Sequence, residues 1–155
     1  MPEAPPDSTE SRLDRLWLTP VGTDPAFLLA RANALSLARM HEAMNGIGLR
    51  SRSYSLLAIA ASDMRPSQRE LSEFLRLDPS QIVALIDELE QRGLVRREPD
   101  PNDRRAKVVV ATDEGHALAE RARETVVESD ESWFARIPEH ERERFFGALR
   151  TLASE

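Results

Sequence analysis

Cysteine is absent from the 155-residue sequence, and aromatic residues make up only 5% of it. The lack of cysteine excludes disulfides, zinc ribbons, iron–sulfur clusters and any thiol-based catalysis or redox sensing. No hydrophobic run approaches the roughly 18 residues of a membrane span, and the acidic, proline-rich start does not have the form of a signal peptide. We therefore expect a cytoplasmic protein without a bound cofactor.

Catalytic signals are lacking as well. The six glycines form no phosphate-binding loop, and no nucleophile and base stand in an order typical of a known catalytic arrangement. Acidic residues alternate with arginines from Glu139 to Arg144, a pattern typical of solvated helix faces. The sequence therefore offers no candidate catalytic residue and predicts a protein that is not an enzyme.

The composition, with 41% hydrophobic and 31% charged residues, is that of an ordinary globular protein. Its length fits one domain, alone or with a helical extension. Residues 1–20 begin with a proline-rich stretch and predict a mostly disordered tail with one short amphipathic turn, formed by Leu13, Leu16 and Trp17. Residues 21–155 predict a single domain, mainly α-helical with a small β-hairpin.

Positive charge is concentrated in one short segment, although the net charge of the chain is −6. Six basic and three acidic residues lie between Arg92 and Lys107, which gives this segment a charge of +3. A local field, rather than the net charge, decides where a polyanion can dock. The segment is therefore a candidate contact for nucleic acid.

Helix signals recur along the chain. Asp24-Pro25 predicts the start of a long helix over about 24–45, because a carboxylate caps the helix and proline at its first position loses no hydrogen bond. Ser67 and Glu70 form a capping box, and Asp78-Pro79 repeats the cap with proline. The further helices expected from caps and apolar periodicity are 53–62, 67–76, 79–92, 113–134 and 138–153.

After Gly93 the pattern changes to that of two strands, 94–97 and 106–110, joined by charged, turn-forming residues. Three short helices followed by such a hairpin form a winged helix–turn–helix. The third helix then offers its polar face to the major groove of DNA. The hairpin, or wing, reaches along the duplex, where arginine can enter the minor groove.

The wing sequence resembles that of the MarR-type (multiple antibiotic resistance regulator) transcription factors. Asp103 and Arg105 match the D-x-R of that family, and residues 111–115 match its L-T-x-x-G with alanine for leucine. Residues 89–95 match the exit from the third helix into the wing. The resemblance covers about residues 25–152. It implies an obligate homodimer that is a repressor in most members and is often released from DNA by a small-molecule effector.

The resemblance implies a DNA-binding lobe at about 51–111 and dimerisation helices at about 24–45 and 113–153. The residues themselves support the dimer, because those helices carry more apolar surface than a small winged lobe can cover. A two-fold dimer would place its two recognition helices one turn of DNA apart, so its operator would be an inverted repeat. The function predicted is a sequence-specific, double-stranded-DNA-binding repressor of transcription.

In the wing, we expect Arg105 to enter the minor groove, with Asp103 bracing it through a charge-assisted hydrogen bond. Arg104 and Lys107 are expected to contact phosphates, and Arg97 lies at the base of the wing as a further candidate DNA contact.

In the helices, Ser80, Gln81 and Ala84 are the candidates for base contacts, because they lie in the first turns of the third helix. Relatives often carry a basic residue in this region, whereas this chain has Ala84 and Glu88, which implies weaker phosphate anchoring from this helix. Ser67 and Gln68 are candidate phosphate contacts at the preceding helix, although Ser67 is also explained by its capping role.

The resemblance places an effector pocket between the dimer helices and the winged lobe. The candidate lining residues there are His41, Met44, Tyr54 and His116.

Two alternatives remain open at this point. A metal-responsive regulator of the same fold would use the scattered histidines: His41 beside Glu42, His116 one turn before Glu120, and His140. A winged-helix scaffold for protein interactions would share the pattern of helices and hairpin, but protein contact needs no minor-groove arginine.

Overall fold

The structure is a computed structural model that describes residues 9–101, 103 and 106–154, without the side chains of residues 9–11. Within these residues it contains seven α-helices and one β-hairpin. The helices are α1 Thr9–Asp14, α2 Pro25–Met44, α3 Ser51–Ala60, α4 Gln68–Leu75, α5 Pro79–Gln91, α6 Asp113–Phe134 and α7 Glu139–Ala153. The strands are β1 Val95–Pro99 and β2 Lys107–Ala111, and short 3-10 helices occupy Arg15–Leu18 and Pro20–Thr23.

The chain divides into two compact units, residues 1–39 and residues 40–155. In the first unit, the Trp17 ring packs edge-on against Phe27 with centroids 6.5 Å apart, and the Arg31 guanidinium lies 5.3 Å from the centre of the Trp17 ring. Within the tail predicted over residues 1–20, residues 9–18 are helical, and residues 1–8 lie outside the described residues. The division falls inside α2, whereas one domain was expected over 21–155.

The second unit has its core around α3, which packs against α4, α5, α6 and β2. Leu56 and Leu57 of α3 are fully buried. The apolar stripe predicted for α5 faces this core, with Ile82, Ile86 and Leu89 fully buried, while Leu85 is half-buried at its edge. The opposite face of α5 is therefore left on the surface, as a helix that reads DNA requires. We call residues 49–111 the winged lobe.

The hairpin confirms the predicted wing, with strands shifted by one or two residues from the predicted bounds. Val95 lies opposite Ala111 and Pro99 opposite Lys107 in an antiparallel pair. The other edge of β2 is bonded as well, because the Val109 amide donates to the Pro66 carbonyl at 2.8 Å. The hairpin is thereby fixed to the segment that leads into α4.

The start of α6 is held against the end of α5 by the residues of the predicted T-x-x-G motif. The Thr112 hydroxyl oxygen accepts from the Gly115 amide at 3.0 Å, and the hydroxyl donates to the Gly93 carbonyl at 2.6 Å. A Cβ at Gly115 would lie 1.9 Å from the Leu94 carbonyl oxygen. Glycine is needed there because the two backbones approach too closely for any side chain.

Candidate nucleic-acid interface

The three residues predicted to contact bases lie exposed on the first turns of α5. Ser80, Gln81 and Ala84 all face the surface. Gln81 also has a local role, since its Oε1 accepts a 3.3 Å hydrogen bond from the Asp78 amide at the helix start. The amide NH2 of Gln81 can still donate to a base, and its Oε1 keeps a second lone pair with which to accept from one.

The capping box predicted at α4 is present. The Ser67 hydroxyl accepts from the Glu70 amide at 3.2 Å, and Glu70 Oε2 accepts from the Ser67 amide at 2.7 Å. The bond from the Ser67 amide, and next the bond that the Ser67 hydroxyl donates to Glu70 Oε2 at 2.7 Å, lower the pKa of the Glu70 carboxyl. Ser67 and Gln68 are each half-buried. The amide and hydroxyl of Ser67 both take part in the cap, so a phosphate bound here would have to contact Ser67 alongside these hydrogen bonds.

The tip of the wing is closed by its own backbone. The Asp100 amide donates to the Ala106 carbonyl at 3.0 Å, and the Ala106 amide donates to the Asp103 carbonyl at 2.9 Å. Asp103 and Lys107 are exposed there. Arg104 and Arg105 lie outside the described residues, so their contacts with DNA stay predictions from the sequence.

Arg97 is placed differently from the expectation that it is free for DNA. Its guanidinium bonds Asp87 of α5 at 2.6 Å and also pairs with Glu90, and its side chain is only 17% exposed. The Arg97 amide donates to Glu90 as well, at 3.1 Å. Arg97 therefore joins the wing to α5, because β1 packs directly against that helix.

A second charged cluster fixes the base of the wing from the other side. Glu98 accepts from Arg96 at 2.6 Å and from Arg65 at 2.5 Å. These hydrogen bonds, the one from Arg96 above all, lower the pKa of the Glu98 carboxyl. Arg65 belongs to the segment between α3 and α4 and has a left-handed backbone, with φ of 48°. Arg96 and Arg97, two of the six basic residues counted near the wing, are therefore paired with carboxylates of the protein itself.

Sequence reasoning missed the part that Asp87, Glu90 and Arg65 take in these clusters. Asp87 and Glu90 are three residues apart on α5, on the side that turns toward β1. Two acids so spaced, beside a strand rich in arginine, were the available signal for the Arg97 contact.

The four residues predicted for an effector pocket do not form one cavity. Tyr54 and His116 lie together at a shallow cavity of about 230 Å³ between α3 and α6. Burial raises the pKa of the Tyr54 hydroxyl. His41 lines a different groove, beside α5. Met44 is fully buried in the core and has no surface to offer a ligand, because apolar packing takes up its whole side chain.

Comparison with known proteins agrees with this architecture. The family model for the MarR family matches residues 49–107. A MarR-family transcriptional regulator from Rhodococcus sp. RHA1 is 38% identical, with 85% of this chain and 95% of that chain covered and a TM-score of 0.79. The chain belongs to the MarR family of transcriptional regulators.

Two further similar structures contain a bound ligand or bound DNA. CouR from Rhodococcus jostii RHA1, in a structure bound to p-coumaroyl-CoA, is 38% identical over 86% of this chain and 94% of that one, with a TM-score of 0.78. A CouR repressor bound to a 23-mer DNA duplex is 25% identical with the same coverage and a TM-score of 0.78.

A Thauera aromatica protein named for regulating transcription of the hcr operon is 31% identical over 99 residues, or 64% of this chain. The chain spans 60% of the length of that curated relative.

The match to the MarR model begins just before α3 and ends at the first residue of β2, so it covers most of the winged lobe. Among the described residues, no group of three or more His, Asp or Glu side chains is placed to hold a metal ion. The three histidines lie on three different helices, α2, α6 and α7. In that same part of the chain, no helix has the length and apolar character needed to cross a bilayer.

Proposed function

We propose that this protein is a sequence-specific, double-stranded-DNA-binding repressor of transcription. The observation that carries the proposal is the exposed polar face of α5 beside a braced hairpin, in a chain of the MarR family. The DNA-bound CouR repressor, 25% identical with a TM-score of 0.78, supports DNA as the partner. Its 23-mer duplex is long enough for two half-sites one helical turn apart.

Each element has a distinct task in this proposal. Ser80, Gln81 and Ala84 meet base edges in the major groove. Arg105 enters the minor groove with Asp103 bracing it. The residues that contact phosphates, and so position the protein without reading sequence, are Arg104, Lys107, Ser67 and Gln68.

The active form in this proposal is a homodimer on an inverted repeat. Helix α7 supports it, because none of its residues is buried. Phe145, Phe146 and Leu149 are about two-fifths exposed, and Leu152 is 65% exposed. An apolar face of this kind on a charged helix is typical of a surface covered by a second subunit.

We further propose that an aromatic acyl-CoA thioester releases the protein from DNA. The support is CouR, 38% identical to this chain and bound to p-coumaroyl-CoA. The test is to add p-coumaroyl-CoA to the protein–DNA complex, with free CoA and free p-coumarate as controls. Dissociation by the thioester alone is expected, and a complex that ignores all three compounds contradicts this effector class.

Salt titration tests DNA binding itself. A duplex selected from a randomised library by the protein should bind with an affinity that falls steeply as salt rises, because phosphate contacts release counterions. A flat salt response or no binding contradicts the proposal and favours a scaffold for protein interactions. In the same assay Arg105→Ala should weaken binding to the selected duplex by ~1–3 kcal/mol with the fold intact.

A further inference from the structure

We propose that Arg50 and Arg52, at the start of α3, bind DNA phosphates on one side of α5. The inference rests on the proposed DNA-binding function. It adds two contacts outside α4, α5 and the wing, the three elements that supply all the DNA contacts proposed above.

Helix α5 has two surface flanks, and each borders a groove. On one flank, Gln81, Ala84 and Glu88 share a groove of about 520 Å³ with Arg50 and Arg52. On the other flank, Pro79 and Val83 share a groove with side chains of α4, namely Gln68, Arg69, Ser72 and Glu73. The exposed Ser80 lies between the two flanks.

This arrangement matches the geometry of the major groove. A helix inserted there has one phosphate backbone on either side of it. Gln68, a predicted phosphate contact, lies on the α4 flank. Arg50 and Arg52 are the basic residues on the opposite flank, where the second backbone would run.

Charge pairing leaves these two arginines available. In the winged lobe, five arginines pair with carboxylates: Arg65, Arg69, Arg92, Arg96 and Arg97. Arg50 and Arg52 are exposed, and no ion pair joins either of them to a carboxylate of the described residues. Glu88, the acid of the same groove, lies 3.8 Å from Arg92 and is partly neutralised by it.

Helix α5 needs such cations beside it. From Pro79 to Gln91 it contains three acidic residues and no basic one. Pairing with Arg97 and Arg92 offsets these acids, but it leaves the helix without a cation of its own for phosphates. Positive charge supplied from α3 would offset the repulsion that an acidic helix meets in a groove lined by phosphates.

The test compares Arg50→Ala, Arg52→Ala and the double variant with the natural protein over a range of salt. Two duplexes are used, the selected one and a shuffled one of the same composition. Each lost phosphate contact should reduce the slope of log affinity against log salt by about 0.9. In a dimer each substitution removes two contacts, so the double variant should lose up to about 3.6 in slope.

Two controls separate a phosphate contact from other roles. Arg50→Lys and Arg52→Lys should keep most of the slope, because a phosphate accepts a point charge. Arg121→Ala removes an exposed arginine of α6 that lines neither groove, and its slope should match that of the natural protein. Circular dichroism and thermal unfolding establish that every variant is folded.

Three results overturn the inference while leaving the proposed function standing. One is an unchanged slope in a folded double variant when the natural protein has a steep one. Another is a loss of affinity confined to the selected duplex, which indicates base reading. The third is unchanged DNA binding with loss of the response to p-coumaroyl-CoA, which makes the groove an effector site. A natural protein that binds neither duplex instead contradicts the proposed function, and the inference with it.

Discussion

The winged lobe and helix α7 use their apolar side chains in opposite ways. In the lobe, α5 buries Ile82, Ile86 and Leu89 completely and exposes polar residues. In α7 no residue is buried, and Phe145 remains 40% exposed even though its ring contacts Phe134. The core of the lobe is therefore formed within one chain, whereas α7 carries the apolar surface that the proposed dimer would cover.

The difference separates two sources of stability. The free energy of folding of the lobe comes from burial inside one chain and should not depend on protein concentration. In the proposed dimer, association would bury the remaining apolar surface of α7, at roughly 25 cal/mol per Å², and this contribution would depend on concentration. Substitutions in the two regions should thus give different kinds of effect.

The largest effect is expected from Ile86→Ala, which empties a fully buried position under the recognition helix. We expect a loss of ~2–5 kcal/mol in the free energy of unfolding, from lost burial and the cavity left behind. Urea denaturation followed by circular dichroism measures it. A loss below about 1 kcal/mol would mean that the core collapses to fill the site, contrary to a rigid support for α5.

Two glycines extend the comparison between the winged lobe and α7, because one packs against the lobe and the other lies in α7. Gly115→Ala places a Cβ 1.9 Å from the Leu94 carbonyl oxygen, so we expect a loss of ~1–3 kcal/mol. Gly147→Ala in α7 meets nothing within 4 Å and should be neutral or stabilise the helix by up to ~1 kcal/mol. Thermal unfolding of both variants at one protein concentration measures the two changes in stability. Equal changes would contradict the close approach of the two backbones at Gly115.

Leu149→Ala tests the exposed face of α7. Leu149 is 39% exposed, and burying the rest of its side chain at an interface should contribute on the order of 1 kcal/mol per copy. Sedimentation at several concentrations should show a dimer that dissociates more readily. Arg150→Ala, one residue further along, is the matched control. If the dimers of both variants dissociate equally readily, Leu149 does not contribute to the interface, and α7 is not part of it.

The smallest effect is expected from Glu98→Gln. The folded pKa of Glu98 is lowered by hydrogen bonds from Arg96 and Arg65, so its contribution to stability is present above the unfolded pKa of about 4.3 and is lost as pH falls through the folded pKa. The variant should therefore lose less stability than the natural protein on acidification from neutral pH to below about pH 4. If the free energy of unfolding of the two proteins falls in parallel as the pH is lowered, these hydrogen bonds contribute nothing to stability.

Local signals in the sequence predicted the helices and the hairpin of the winged lobe well. The Ser67–Glu70 capping box and the Asp78-Pro79 start both act within one turn of chain, so residue types alone reveal them. The switch from helical period to strands likewise located the wing. These are the features that carried the prediction of the fold.

Contacts between distant segments could not be predicted in the same way. Arg97 was expected at DNA, but the packing of β1 on α5 brings it to Asp87 and Glu90 instead. Met44 was a pocket candidate through the family resemblance and lies in the core. Arg50 and Arg52 gave no signal in the sequence, because their position beside α5 exists only once α3 has packed against that helix.

Selection from randomised double-stranded DNA tests the central claim most directly, since it asks whether α5 and the wing read sequence at all. The account predicts enrichment of an inverted repeat whose half-sites are about one helical turn (~34 Å) apart. It also predicts that Gln81→Ala changes the enriched bases, while Lys107→Ala weakens binding and leaves them unchanged. Recovery of unenriched, random sequence would contradict it.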